Sequence, residues 1–237
     1  HELSNMLNTS ELLAFIRTGS AAAKALAGEV LSLRPQALGE VGTEQVMALA
    51  QHDVMAVRAA ARSLMRGAVN ALKTNPDLLF MLVESDWEDT RSFAFDLIRT
   101  EIGVETLGLD GVIGLCDSNR VDVQNVGKEL VVRHLQEGRE GKPGGLAAED
   151  VLLRLIQHPH PNMRGFALDL AVQYLGAGAG ELTKMEPLCR AILFELWPSQ
   201  RTKHKVLDFL TERGLQDEDQ AKQSSKLLSD YIGTQGR

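Results

Sequence analysis

A few side chains in this sequence have the types and spacing to do chemistry. His158-Pro159-His160-Pro161 sets two imidazoles two residues apart, and imidazole is a common zinc ligand. No third ligand stands at helical or turn spacing from the pair, and the alternating prolines fit a turn between two helices, so neither a metal nor a cofactor is expected. Cys116 and Cys189 lie far apart among apolar neighbours, without CxxC spacing. They read as buried small hydrophobes in a reducing compartment, not as nucleophiles, a disulfide or a zinc site. Arg58, Arg62, Arg66, Arg91, Arg99 and Lys128 supply the cationic charge of a phosphate or acidic-peptide site. The whole chain leans the other way, with 25 Lys and Arg against 32 Asp and Glu and a net charge of −7, which disfavours a general polyanion binder. Trp87, in the polar stretch Ser85-Asp86-Trp87-Glu88-Asp89, is a candidate aromatic anchor. There is no P-loop, GxSxG or HExxH motif, and no carboxylate pair is marked by its context, so the chain is not expected to be an enzyme.

These residues need elements to position them. The 237 residues, 44% hydrophobic and 24% charged, have the proportions of a globular protein and exclude disorder, collagen and coiled coil. Apolar runs such as Leu78 to Val83 fall far short of the ~20 residues of a membrane-spanning helix, so no membrane insertion is expected. No secretory signal is visible, and an intracellular location, cytoplasmic or nuclear, is expected. His1 in place of Met is expected of a tag remnant or of a cut fragment of a longer polypeptide.

The dominant signal is internal repetition. The segments beginning at Val57, Thr90, Val123, Met163 and Thr202 align, and their second positions, Arg58, Arg91, Gln124, Arg164 and Lys203, recur at spacings of 33, 33, 40 and 39 residues. Eleven residues before each segment runs a second apolar column, Val46, Leu79, Val112, Leu152 and Ala191. The register therefore holds across both halves of each unit, with all length variation between units, in the glycine-rich insertion from Gly138 to Gly145 and the run Gly176-Ala177-Gly178-Ala179-Gly180. Apolar positions at i, i+3, i+4, i+7 and i+8, as in Val57, Ala60, Ala61, Leu64 and Met65, make the second half helical. Pro76 opens one first helix, and Asp86, Asp117 and Ser199 are available as caps. Each unit is two short antiparallel helices. Such a pair cannot bury its apolar stripe alone, so the expected fold is all-α, a right-handed α-solenoid of about five to six stacked hairpins with terminal capping helices.

The apolar run, the polar turn, then Val-Arg with a small residue beyond resembles the HEAT repeat of the armadillo-like superhelix, over residues 43–213. Residues 1–42 read as a degenerate first repeat or cap and residues 214–237 as a closing cap, in one domain. Gln124 in the third copy and Lys203 and Lys205 in the fifth depart from the pattern. The resemblance implies that the second helices line a concave face. It also implies that the Arg after the Val pairs with an acidic residue in the turn, Asp53 for Arg58 and Asp86 for Arg91, while Arg62, Arg66 and Arg99 stay available to a partner.

Opposite the core stripe, the central column is Ala59, Ser92, Asn125, Gly165 and His204, mostly small. One flank, Asp96, Glu129, Asp169 and Asp208, is acidic. The other, Arg62, Phe95, Lys128, Leu168 and Leu207, then Arg66, Arg99, Val132, Val172 and Thr211, begins basic and ends apolar. The expected function is a non-catalytic protein-binding scaffold whose groove, lined by Arg62, Arg66, Phe95, Arg99, Lys128 and Trp87, takes a peptide, a helix or a domain of its own parent chain. The alternative is a nucleic-acid-binding module using the basic stripe. More remote is an enzyme similar to the alkylpurine DNA glycosylases of HEAT-like build, for which Asp86 and Trp87 are the only residues on offer.

Overall fold

The computed structural model describes residues 7–139, 146–177, 182–195 and 197–235. Among them every regular element is a helix, there is no strand, and no helix is long and apolar enough to cross a membrane. Residues 140–145 of the glycine-rich insertion and 178–180 of the second glycine run lie outside the described residues. The chain divides into two compact units, His1–Leu107 with Asn119–Val126 and Gly108–Ser118 with Gly127–Arg237.

The first unit holds α1 (Thr9–Thr18), α2 (Ala21–Ser32), a 3-10 turn (Pro35–Ala37), α3 (Leu38–Val41), α4 (Thr43–Ala50), α5 (Met55–Arg66), α6 (Val69–Thr74), α7 (Pro76–Val83) and α8 (Glu88–Thr100). The second holds α11 (Ala148–Ile156), α12 (Pro161–Gly176), α13 (Leu182–Phe194), α14 (Gln200–Gly214) and α15 (Glu218–Gln235). The intervening α9 (Val104–Cys116) and α10 (Val121–Arg139) divide between the units at Gly108 and Gly127. Local chemistry sets the helix starts. At α1, Asn8 and Glu11 form a capping box, each side chain accepting the other's backbone N–H at 2.9 and 2.8 Å. Pro76 and Pro161 occupy first-turn positions whose missing N–H costs nothing, and Ser199 caps α14 by accepting from Thr202 N. Asp86 and Asp117, candidate caps by sequence, do not serve as such: the residue at the cap of α8 is Trp87.

Second helices start at Met55, Glu88, Val121, Pro161 and Gln200, which reproduces the 33, 33, 40 and 39 spacing of the sequence repeat. In the first unit α4 pairs with α5 and α7 with α8; α4 packs on α7, and α2, α5 and α8 pack in a row. In the second unit α11 pairs with α12 and α13 with α14, α11 packs on α13 and α12 on α14, and α15 covers α13 and α14. The interior is aliphatic. Val57, Ala60, Ala61 and Leu64 of α5 are fully buried, as are Val151, Leu152 and Leu155 of α11. Truncating a buried leucine such as Leu64 to Ala removes about 2–5 kcal/mol, because the lost transfer energy is joined by a cavity.

Two glycines set how closely helices approach. A Cβ on Gly28 of α2 would lie 2.6 Å from the Ala56 backbone carbon of α5, and one on Gly127 would lie 2.9 Å from Cys116 N.

The fifth copy corrects the register read from sequence. Buried positions of first helices run Val46, Leu49, Ala50; Leu79, Leu82, Val83; Val112, Leu115, Cys116; Leu152, Leu155, Ile156; and then Cys189, Ile192, Leu193. Cys189, not Ala191, is therefore the counterpart of Leu152. Two extra residues sit in the turn before α14, where Trp197 and Pro198 stand, so length varies inside a unit as well as between units.

Candidate functional site

The turn joining each first helix to its second carries a repeated hydrogen-bond pattern. In the first, second and fourth copies, a side chain five residues before the repeat segment accepts the backbone N–H that opens the second helix. His52 Nδ1 accepts from Val54 at 3.0 Å, Ser85 Oγ from Trp87 at 3.2 Å and His158 Nδ1 from His160 at 3.0 Å. His158-Pro159-His160-Pro161 is thus a turn, with His158 only 4% exposed and its Nε2 3.3 Å from Asp117 Oδ1. Among the described residues no group of three or more His, Cys, Asp or Glu is placed to hold a metal. Cys116 and Cys189 are buried, and that burial pushes each thiol up to about 12, which keeps them protonated and inert at neutral pH.

The cation at the second repeat position reaches back into the turn and forward to the next hairpin. Arg58 Nη1 donates to the carbonyls of His52 (2.8 Å) and Asp53 (2.9 Å), and its Nε donates to both carboxylate oxygens of Asp89 (2.9 and 3.1 Å). Arg91 repeats the arrangement, with Nη1 on the Ser85 carbonyl (2.8 Å) and Nε on Asp122 (2.7 Å). The acidic partner therefore comes from the following second helix, not from the turn. Asp53 is exposed beside His52, and Asp86 binds Arg120 at 2.5 Å. Asp89 and Asp122 are the acidic partners that sequence reasoning missed. Their signal was present: an Asp directly before the aligned segment in copies two and three, 31 residues after the Arg of the copy before. Copies four and five carry Asn162 and Arg201 there.

Arg62, expected to stay available, donates to the same Asp89 at 2.5 Å. One carboxylate, 29% exposed, thus serves two guanidiniums that are 7% and 19% exposed. Partial burial works to raise the Asp89 carboxyl, but hydrogen bonds and charge from Arg62 and Arg58 outweigh it and hold the group below the ordinary carboxylate value. Asp122 shifts the same way, burial opposing and Arg91 prevailing.

Trp87 is a clamp within this network. Its indole N–H donates to the Gln51 carbonyl at 3.1 Å, and the Arg58 guanidinium sits 4.0 Å above its ring. Ser85 Oγ donates to Gln51 Oε1 at 2.6 Å and Thr90 Oγ1 to the Ala50 carbonyl at 2.9 Å, so the two neighbouring turns are laced together. Both residues offered for glycosylase-like chemistry, Asp86 and Trp87, are engaged in these turn contacts.

The expected flanks resolve unevenly. Phe95 is 9% exposed and belongs to the core, because α8 buries a wide apolar arc that includes it; it does not line a groove. Arg66 is exposed, its guanidinium 5.9 Å from the Phe93 ring. Arg99 lies 3.9 Å from Asp96 of the acidic flank, one turn away on α8. In the second unit Lys128 stands 5.5 Å from the Phe166 ring, and Glu129, Asp169 and Asp208 are exposed, the last two on the packed helices α12 and α14.

No family model and no curated protein matches the chain. The functional reading therefore rests on the geometry above. The second unit handles its repeat cations differently. Arg164 stacks 5.3 Å from the Trp197 ring, with its buried Nε lacking a hydrogen-bond partner. Lys203, 5% exposed, donates to the carbonyls of Leu193 (2.9 Å) and Glu195 (2.7 Å) at the end of α13, where the helix dipole favours a cation.

Proposed function

We propose that the chain is a non-catalytic scaffold, an α-solenoid of HEAT-like repeats that offers the outward faces of its second helices to a peptide, helix or domain of a protein partner. The observation that carries this reading is the use made of the most regular cations. Arg58 and Arg62 are bound to Asp89 and Arg91 to Asp122, so these charges hold neighbouring hairpins together. Among the residues exposed along the second helices are Ser92, Asp96 and Arg66 in the first unit and His204, Asp169 and Asp208 in the second, small or of mixed sign. Mixed charge suits a protein surface better than a phosphate backbone, which demands a consistently positive one.

Two measurements test the reading. Fluorescent double-stranded DNA and RNA are titrated across a salt series, and no salt-dependent binding is expected; an affinity falling steeply with salt establishes the nucleic-acid alternative instead. A photo-crosslinking residue placed at Ser92 or at His204 is expected to yield discrete protein adducts in cell extract. The D169K/D208K variant, still helical by circular dichroism, should lose the His204 adduct. Adducts indifferent to that charge reversal count against the assignment.

A further inference from the structure

A second surface, on a different face from the one proposed above, lies at the first hairpin. Between α1 and α2 opens a cavity of about 120 Å³ lined by Leu12, Phe15, Ala23, Leu26, Ala27 and Val30. Its rim is apolar and wet: Phe15 is 44% exposed and Leu26 48%, with Leu33 at 65% two turns along α2. Isolated exposed leucines are ordinary, but a cavity rimmed by Phe15 and Leu26, with Leu33 exposed further along the same stripe, marks an interaction site.

Helix geometry fixes which way this groove faces. Gly28 is the point where α2 meets the α5 backbone, at Ala56 and Val57. At 100° per residue Leu26 lies about 200° from Gly28, so the groove opens on the side of α2 turned away from α5. Within the first unit α2, α5 and α8 pack in a row. The groove is the seat a further helix would take if that row continued, which makes an α-helix the occupant of matching shape.

Charge narrows the occupant further. Glu11 precedes Phe15 by one turn of α1, and Glu29 stands between Leu26 and Leu33 on the same stripe of α2. Both are exposed, and because the two helices form a hairpin, the start of α1 and the end of α2 fall together at one end of the groove. The single cations of these helices, Arg17 and Lys24, are each two residues from Phe15 and Leu26 and so point about 200° away. An apolar seat with acid at one end selects an apolar stripe flanked by base. A second copy of this chain would bring Glu11 and Glu29 against their own kind.

We propose that the α1–α2 groove docks an amphipathic α-helix of another protein, with apolar residues at i, i+3 or i+4, and i+7, and with Lys or Arg beside the stripe. The probe is a fluorescein-labelled helical peptide of Leu and Lys, about 18 residues long so that it holds a helix on binding, titrated against the whole chain by polarisation. A Leu and Glu peptide of the same pattern is the control. The expected results are saturable binding of the Lys peptide and at least about tenfold weaker binding of the Glu peptide. F15E/L26E should abolish binding although it makes the protein more acidic, whereas E11Q/E29Q should weaken it several-fold. Circular dichroism establishes that both variants remain helical. R66E/R99E, on the face proposed for the scaffold function, should leave this binding unchanged. No binding, equal binding of both peptides, or binding that survives F15E/L26E overturns the proposal. So does a dimer of the unliganded chain in sedimentation equilibrium that F15E/L26E converts to monomer, since the second copy would then be the occupant.

Discussion

The two units answer one question in opposite ways. Each places cations at the second position of its repeats, Gln124 being the one neutral residue there, beside carbonyls that the turn leaves without partners. In the first unit Arg58 and Arg91 satisfy turn carbonyls and also take a carboxylate from the next second helix. In the second, Lys203 satisfies carbonyls and lies 5.9 Å from the Tyr231 ring, and Arg164 trades the carboxylate for the face of Trp197 and leaves Nε unpaired. The shared task is the carbonyl cap or the stacking of the cation; the carboxylate is an addition, present where Asp89 and Asp122 stand and missing where Asn162 and Arg201 replace them. In four of the five copies, with Gln124 the exception, the repeat position thus keeps a cation without fixing its partner.

The comparison breaks most visibly at Asp89. D89A strips the carboxylate from both Arg58 and Arg62, and Arg58 is too buried to recover full hydration. A loss of about 3 kcal/mol is expected in urea unfolding, with hydrogen exchange rising first in α5 and α8. Acid provides a gentler version. Asp89 and Asp122 titrate below their unfolded values, so their stabilisation is complete at neutral pH and disappears as pH falls from about 4 through the depressed folded values. D89N/D122N should start less stable and lose less on acidification; a slope equal to that of the parent chain refutes the role given to these carboxylates. The smallest effect is expected at Arg164. R164M surrenders a stacked cation but removes a buried Nε that has no partner, and these terms nearly cancel to within about 0.5 kcal/mol. A large destabilisation there would mean that stacking on Trp197 is worth as much as the Asp89 ladder.

Much of this architecture was legible in the sequence. The spacing of the Arg58, Arg91, Gln124, Arg164 and Lys203 column matches the spacing of the helix starts, because a helix start is a local event governed by the residues around it. The departures share a physical cause, dependence on neighbours distant in sequence. Arg58 pairs with Asp89 and not Asp53 because the carboxylate 31 residues on brings both oxygens within reach of its Nε, while Asp53 turns to solvent beside His52. Phe95 is buried although Arg62 occupies the same position one copy earlier, since the width of an apolar arc depends on what packs against it. Cys189 replaces Ala191 in the core column because Trp197 and Pro198 lengthen the turn, and no periodicity counted from one side of that turn reveals the insertion. The candidate partner surface was least legible. Sequence alone left Arg62 unclaimed, and the apolar seat between α1 and α2 stands in a hairpin too degenerate to align.

Gly108 carries a consequence of its own. It interrupts α9 at φ 65° and ψ 176°, and a Cβ built there meets nothing within 4 Å. An L-alanine fits the space but not the backbone, whereas the positive φ is one that a D-residue adopts without strain. Handedness, not bulk, is the constraint at this residue: a chain assembled by chemical ligation with D-alanine there would keep its native bend and surrender less disorder on folding than the glycine does.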